Sequence, residues 1–324
     1  MPRPRGSPEA FKTTLTRPAD FDQFWADILA QAETIPLNAT CDPVPHRSTD
    51  EVEVFEIGYD SLDGVRIAGW YCRPRDSYLA GPYPGLMIVP GYISEPTLPK
   101  SWAKLGYAAV GVAPRGKLRS NQQVNPGYPG LLLHNATDRN TYGYRGFYVD
   151  AVRALDFLKT RPEVDATRIG VHGSSQGGAL TIVVSALRNQ EIACAVAGAP
   201  YLCSIMDSAT MSHTYPYEEI NEYLRQHPDR EPALQETMSY FDCVNMASLV
   251  RCPTMVYIGL VDDCVPPETG YALKAALTAP TEFHATADCA HDAGGFWMMP
   301  RITAFLAEHL QPATTGRRAE TTVG

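Results

Sequence analysis

Apolar positions along the chain change their period several times, and each change marks an element. Phe21, Phe24, Trp25, Ile28 and Leu29 recur at helical spacing and predict an amphipathic helix near the N-terminus. Val54–Tyr59 and Val65–Cys72 are rich in β-formers and flank Ser61-Leu62-Asp63-Gly64. Asp-Gly is a strong turn pair, so these two runs predict an antiparallel hairpin. From Gly85 onward the texture becomes short continuous apolar runs: Gly85–Pro90, Tyr107–Ala113, Thr167–Gly173, Ile192–Gly198, Thr254–Leu260 and Glu282–Ala285. Between the second and third, Tyr148, Ala151, Val152, Leu155 and Leu158 form one helix face. Strands apolar on both faces and alternating with helices predict an α/β fold. Its sheet is expected to be mostly parallel, with antiparallel strands at the N-terminal edge and helices on both faces.

The stretch from about 200 to 251 is tyrosine-rich and helical in pattern, without a clear strand. It is expected to be an insertion that acts as a lid or an interface. Residues 1–10 are basic and proline-rich, and 311–324 lack an apolar period, so both are expected to be flexible tails around a single domain spanning 11–310.

Composition narrows the function classes. The 324 residues are 44% hydrophobic and 19% charged, ample for a large apolar core without metal or disulfide staples. Twenty-seven basic against 36 acidic residues give a formal charge of −9. That balance, with no basic stripe, argues against nucleic-acid binding and against an anionic membrane surface. No run approaches the ~20 apolar residues of a membrane helix. The eight cysteines never form C-x-x-C and are expected to be buried free thiols. No secretory signal is read at the N-terminus, and the expected location is cytoplasmic. Neither metal nor cofactor is expected.

Chemistry concentrates in three loops. Gly173-Ser174-Ser175-Gln176-Gly177 is a G-x-S-x-G between an expected strand and an expected helix. A sharp turn there presents the serine hydroxyl at the carboxyl edge of the sheet, and the glycines allow close approach of strand and helix. A serine hydroxyl needs a base, and the base needs an orienting acid. In the α/β-hydrolase fold these follow in the order Ser, Asp/Glu, His, each after a later strand. Asp262 follows Thr254–Leu260, and His291 lies in a glycine-flanked loop after the last strand. Asp263 competes with Asp262, which is favoured because it is nearer the strand end; Asp292 is a candidate support for the histidine. Backbone N–H groups of Gln176, after the serine, and Tyr92, after the Leu86–Val89 strand, are the expected oxyanion donors.

On these residues the chain resembles carbohydrate esterase family 7, the acetyl xylan esterase and cephalosporin C deacetylase family. The resemblance runs from Asp20-Phe21-Asp22-Gln23-Phe24-Trp25 through Tyr142-Gly143-Tyr144-Arg145, Asp150–Leu155 and Gly173–Gly178. It continues through Tyr223–Arg230, Ser239-Tyr240-Phe241-Asp242 and Gly259-Leu260-Val261-Asp262 to the final helix. It implies an α/β-hydrolase fold with Ser175 as nucleophile, Asp262 as acid and His291 as base. It also implies Tyr92 and Gln176 as oxyanion donors, a small-molecule acetyl ester as substrate, a homohexamer, and no metal.

Three segments depart from the family pattern. Arg115-Gly116-Lys117-Leu118 stands for Arg-Gly-Gln-Gly, His291-Asp292 for His-Glu, and Cys264-Val265-Pro266-Pro267 for Cys-Pro-Pro. Arg115 and Lys117 are therefore candidate substrate contacts or supports, and Lys117 is expected to place a cation near the pocket mouth. Tyr201, with Tyr215 and Tyr217, is a candidate for the alcohol side of the pocket or for the core. The rival readings are a tailoring deacetylase or an amide or carbamate hydrolase acting on a specialised metabolite, and a non-catalytic ligand-binding protein of the same fold.

Overall fold

Asp63 and Gly64 both adopt left-handed backbone conformations, with φ of 62° and 71°. That pair closes the expected hairpin between β2 (Val52–Asp60) and β3 (Arg66–Pro74), in register from Val52 opposite Pro74 to Asp60 opposite Arg66. The computed structural model describes residues 7–312. Ahead of the hairpin come helix α1 (Phe21–Glu33) and a short strand β1 (Thr40–Pro43) that pairs antiparallel with β2. β1 has four residues and no alternation, which is why the apolar pattern does not reveal it.

The remaining strands are β4 (Tyr83–Val89), β5 (Ala108–Ala113), β6 (Val164–Ser174), β7 (Cys194–Gly198), β8 (Thr254–Gly259) and β9 (Thr281–Thr286). The nine described strands form one sheet in the order β1-β2-β3-β5-β4-β6-β7-β8-β9, antiparallel as far as β3–β5 and parallel beyond. Helices α2 (Lys100–Lys104), α3 (Gly143–Lys159), α4 (Gln176–Leu187), α9 (Pro267–Ala276) and α10 (Gly295–Leu310) connect or follow them. Every residue of β5, β7 and β8 is buried, as their unbroken apolar runs require. β9 was expected to be equally buried; as the edge strand it is half-exposed and carries Glu282 and His284.

Alternation along the strands sends side chains to two apolar layers. Met87, Val171, Ala195 and Ala197 share one cluster with Val152 and Leu155 of α3 and Leu180 of α4. Leu86, Val196, Met255 and Tyr257 share the other with Trp102 of α2 and Ile302 and Leu306 of α10. Trp25 of α1 lies in the first layer and donates its indole N–H to the Tyr240 carbonyl at 2.9 Å.

Between β7 and β8 run α5 (Ile205–Met211), α6 (Glu218–Gln226), α7 (Glu231–Phe241) and α8 (Cys243–Ala247). Buried Asp242 ties this segment together by accepting N–H bonds from Ser204, Ile205 and Val244 at 2.7–3.0 Å. The eight cysteines are unpaired; five are buried, while Cys41, Cys264 and Cys289 are half-buried rather than fully enclosed. The tails expected at 1–10 and 311–324 lie mostly outside the described residues. Where the first is described, Pro8–Ala10 forms a 3₁₀ turn with contacts to α9.

Candidate active site

Ser175 links β6 to α4 with φ 61° and ψ −121°, a conformation that a non-glycine residue holds at a cost of about 1–3 kcal/mol. Its neighbours fix it there. The Ser175 N–H donates to Gly198 O at 2.9 Å, and its carbonyl accepts from Ala179 and Tyr201 N–H, both at 3.1 Å. A side chain at Gly177 would put its Cβ 2.3 Å from Val89 O, and one at Gly173 would meet Gly177 at 2.7 Å. The two flanking glycines therefore let α4 press against the ends of β4 and β6, and the turn lifts the serine out of the sheet edge.

The three loops expected to carry chemistry converge. His291 Nε2 lies 3.0 Å from Ser175 Oγ, and His291 Nδ1 lies 2.8 Å from Asp262 Oδ2. Asp262 is 2% exposed, and its other carboxylate oxygen accepts N–H bonds from Cys264 and Val265, both at 2.9 Å. A buried carboxylate held in this way fixes the imidazole ring, stabilises its protonated form and leaves Nε2 to accept the serine proton. Asp263, the competing acid, points away: its side chain is exposed, and its carbonyl accepts from the Ser212 and Thr214 hydroxyls. Asp292 is exposed as well, and its carbonyl closes the turn into α10 by accepting Gly295 N–H.

Gln176 opens α4, where an N–H has no acceptor within the helix. Its side chain is buried and donates to the Tyr144 hydroxyl at 2.7 Å. Tyr92 follows β4, and its ring and hydroxyl are held in the interior. The hydroxyl donates to Glu219 Oε1 at 2.5 Å and accepts Leu132 N–H at 3.1 Å, while Glu219 Oε2 accepts Gly130 N–H at 2.9 Å. Burial pushes the phenol well above its ordinary range and also raises Glu219, so Tyr92 stays a donor.

Arg115 and Lys117 are supports rather than pocket residues. Arg115 is buried; its Nε donates to Asp150 Oδ2 at 2.8 Å and one terminal nitrogen to Oδ1 at 2.9 Å. A paired charge of this kind pins the loop after β5 to α3. Lys117 was expected to put a cation at the pocket mouth. Instead it is fully buried, and its ammonium is turned inward to the carbonyls of Gly91 and Tyr92. Tyr201 and Tyr217 are likewise core residues, with ring centroids 4.9 Å apart, whereas Tyr215 reaches the pocket.

A cavity of about 690 Å³ opens over Ser175 and His291. Tyr92, Ile93, Ser94, Tyr128, Pro129, Tyr215, Pro216 and Cys264 line it. Tyr128 and Ile93 carry no motif, and only the folded loops bring them to the cavity over the serine; Glu219 carries none either and reaches the site only through the Tyr92 hydroxyl. Burial pushes the Cys264 thiol up to about 11, so it enters the cavity as a neutral thiol and not as a rival nucleophile. Among the described residues no group of three or more His, Cys, Asp or Glu side chains is placed to hold a metal ion. Nor, among them, is any helix long and apolar enough to cross a membrane.

Comparison with known proteins agrees with this architecture. The acetyl xylan esterase (AXE1) family model matches residues 8–309. Acetyl esterase Axe7A of Xylanibacter ruminicola is 31% identical over 288 residues, 85% of this chain, and the chain spans 64% of that relative's length. The solved structure of the acetyl xylan esterase from Paenibacillus sp. R4 superposes with a TM-score of 0.87 at 32% identity, covering 94% of this chain and 98% of that one. Acetyl xylan esterase 1 from Thermoanaerobacterium sp. JW/SL YS485 shares the fold, with a TM-score of 0.86 at 22% identity over 94% of this chain and 99% of that one.

Proposed function

The chain belongs to the acetyl xylan esterase family, and on that premise we propose that it hydrolyses acetyl esters of sugars or small molecules through an acyl-enzyme on Ser175. The observation that carries this reading is the hydrogen-bonded chain from Asp262 through His291 to Ser175 at the floor of an open cavity.

In the proposed reaction His291 Nε2 takes the hydroxyl proton as Ser175 Oγ attacks the ester carbonyl. The Tyr92 and Gln176 N–H groups receive the developing oxyanion, and donors of this kind contribute about 10²–10³-fold each. Histidine then passes the proton to the leaving alcohol. A water deprotonated by the same imidazole releases acetate and restores the serine. Asp262, bonded to Nδ1, keeps the imidazole in the tautomer that accepts at Nε2.

The substrate belongs to the proposal. The lining contributed by Tyr128, Pro129, Tyr215 and Pro216 is largely apolar, which suits an acylated ring such as that of an acetylated xylo-oligosaccharide or of cephalosporin C. A homohexamer is part of the same reading, supported by Phe296 and Trp297, which are about four-fifths exposed at the start of the helix that follows His291. So is a cytoplasmic setting, supported by the eight unpaired thiols.

The test is acetate release from p-nitrophenyl acetate, acetylated xylo-oligosaccharide and cephalosporin C by wild type and Ser175→Ala. Serine-dependent release from the two natural acetates is expected. Release from the nitrophenyl ester alone would keep the mechanism and move the substrate elsewhere.

A further inference from the structure

Lys117 is a fully buried lysine. Its ammonium donates to Gly91 O at 2.7 Å and to Tyr92 O, and it lies 4.6 Å from the centroid of the Tyr128 ring. Each contact has a partner suited to a cation, and two of them are main-chain carbonyls of the loop that presents the Tyr92 N–H.

The Gly91 carbonyl and the Tyr92 N–H belong to one planar peptide group. This bond is not among the cis peptides of the chain, so the two point in opposite directions. Fixing the oxygen therefore fixes the direction of the N–H. A positive charge at the oxygen also draws electron density from the amide nitrogen, which strengthens the N–H as a donor. The far end of Tyr92 is held separately through its hydroxyl by Glu219 and Leu132. Side chain and main chain of this one residue are thus clamped from two sides.

Resting on the proposed roles of Ser175 and the Tyr92 N–H, we infer that the Lys117 ammonium is a positioning residue for the oxyanion hole, aiming and polarising the Gly91–Tyr92 peptide. Lys117 stands where the family resemblance implies a glutamine, which would leave such a support uncharged.

The titratable groups around the ammonium are Tyr128, Tyr92 and Glu95. Tyr128 is raised by burial to a neutral phenol, Tyr92 is raised in the same way, and Glu95 accepts the Leu118 N–H at 2.7 Å. Burial lowers Lys117 to about 7, with Glu95 opposing the shift. The charge on the support is therefore lost as the solution passes from neutral to alkaline, and the alkaline limb of the activity profile belongs to Lys117.

The experiment measures kcat and KM for p-nitrophenyl acetate from about pH 6 to 10 in wild type, Lys117→Gln, Lys117→Met and Ser175→Ala, with thermal midpoints recorded for each. Lys117→Met is expected to lower kcat about 10-fold to 100-fold near neutral pH, less than loss of a whole oxyanion donor, with KM nearly unchanged. Lys117→Gln keeps donors without a titrating charge; it is expected to recover most of the neutral-pH rate and to lose the alkaline fall. A folded Lys117→Met with wild-type kcat at every pH, or an alkaline limb unchanged in Lys117→Gln, would overturn the inference while Ser175→Ala stays inactive. Wild-type turnover in Ser175→Ala overturns the functional reading and this inference together, a pattern distinct from the other two.

Discussion

Asp262 and His291 lie 29 positions apart in the chain and 2.8 Å apart in space, Oδ2 to Nδ1. The neighbouring Asp263 faces solvent and contributes a carbonyl, not a carboxylate, to its surroundings. Adjacent acids in one loop therefore have different expected consequences. Asp262→Asn should lower kcat about 10³–10⁴-fold, because an amide presents the wrong partner to Nδ1 and favours the wrong tautomer. Asp263→Ala should stay within about twofold of wild type in steady-state assays with p-nitrophenyl acetate. Reversed effects would make Asp263 the acid.

The elbow has no room at Gly177. A methyl there would sit 2.3 Å from Val89 O, a main-chain atom of the neighbouring strand that cannot turn aside. Gly177→Ala is expected to destabilise the protein by about 2–4 kcal/mol, in the range of severe overpacking, and to displace Ser175. Chemical denaturation measures the first effect and the rate of organophosphonate labelling the second. Unchanged stability would show that the turn is looser than this packing requires.

Asp242 is the tie of the segment between β7 and β8, accepting three N–H groups in the interior. Asp242→Ala strands those donors and should cost about 2–4 kcal/mol, at about 1–3 kcal/mol for a buried unpaired group and with part of the loss relieved by local opening. Asp242→Asn retains an acceptor oxygen and should cost less. Equal stability of the alanine variant and wild type in urea unfolding would remove this residue's structural role.

Lys117 also gives stability a pH dependence with a definite sign. Its folded value, about 7, is below its ordinary 10.5 because the charged form is buried. Below about 7 both folded and unfolded chains carry the proton, and the fold bears the full cost of the buried ammonium. Between the two values the unfolded chain binds a proton that the folded chain does not, so stability rises with pH. Wild type should therefore gain on Lys117→Met as pH is raised from about 7 to 10, as read by denaturant midpoints. A difference independent of pH would place the folded value near that of the unfolded chain.

Much of this molecule is legible in its sequence, and the reasons are local. Buried parallel strands must be apolar on both faces, so β5, β7 and β8 stand out as unbroken runs. Asp63-Gly64 announces the hairpin because few other pairs accept two left-handed residues in succession. Ser175, Asp262 and His291 are found because each follows a strand in a fixed order. Lys117 is misplaced for the same reason that these succeed: its position beside the site is readable, but its direction is not. Whether a long side chain points into a cavity or back under a loop depends on Gly91, Tyr92 and Tyr128, which meet it only in the fold. β1 and the Tyr92–Glu219 bond, between residues 127 apart, leave no periodic or motif trace.

The most direct measurement is peptide mass spectrometry of the enzyme acid-quenched during turnover of p-nitrophenyl acetate. The expected result is one acetyl group on Ser175 in wild type and none in Ser175→Ala, which should turn over about 10⁴–10⁶-fold more slowly. Steady turnover with Ser175 unmodified, or with the acetyl group on another side chain, would contradict a serine acyl-enzyme.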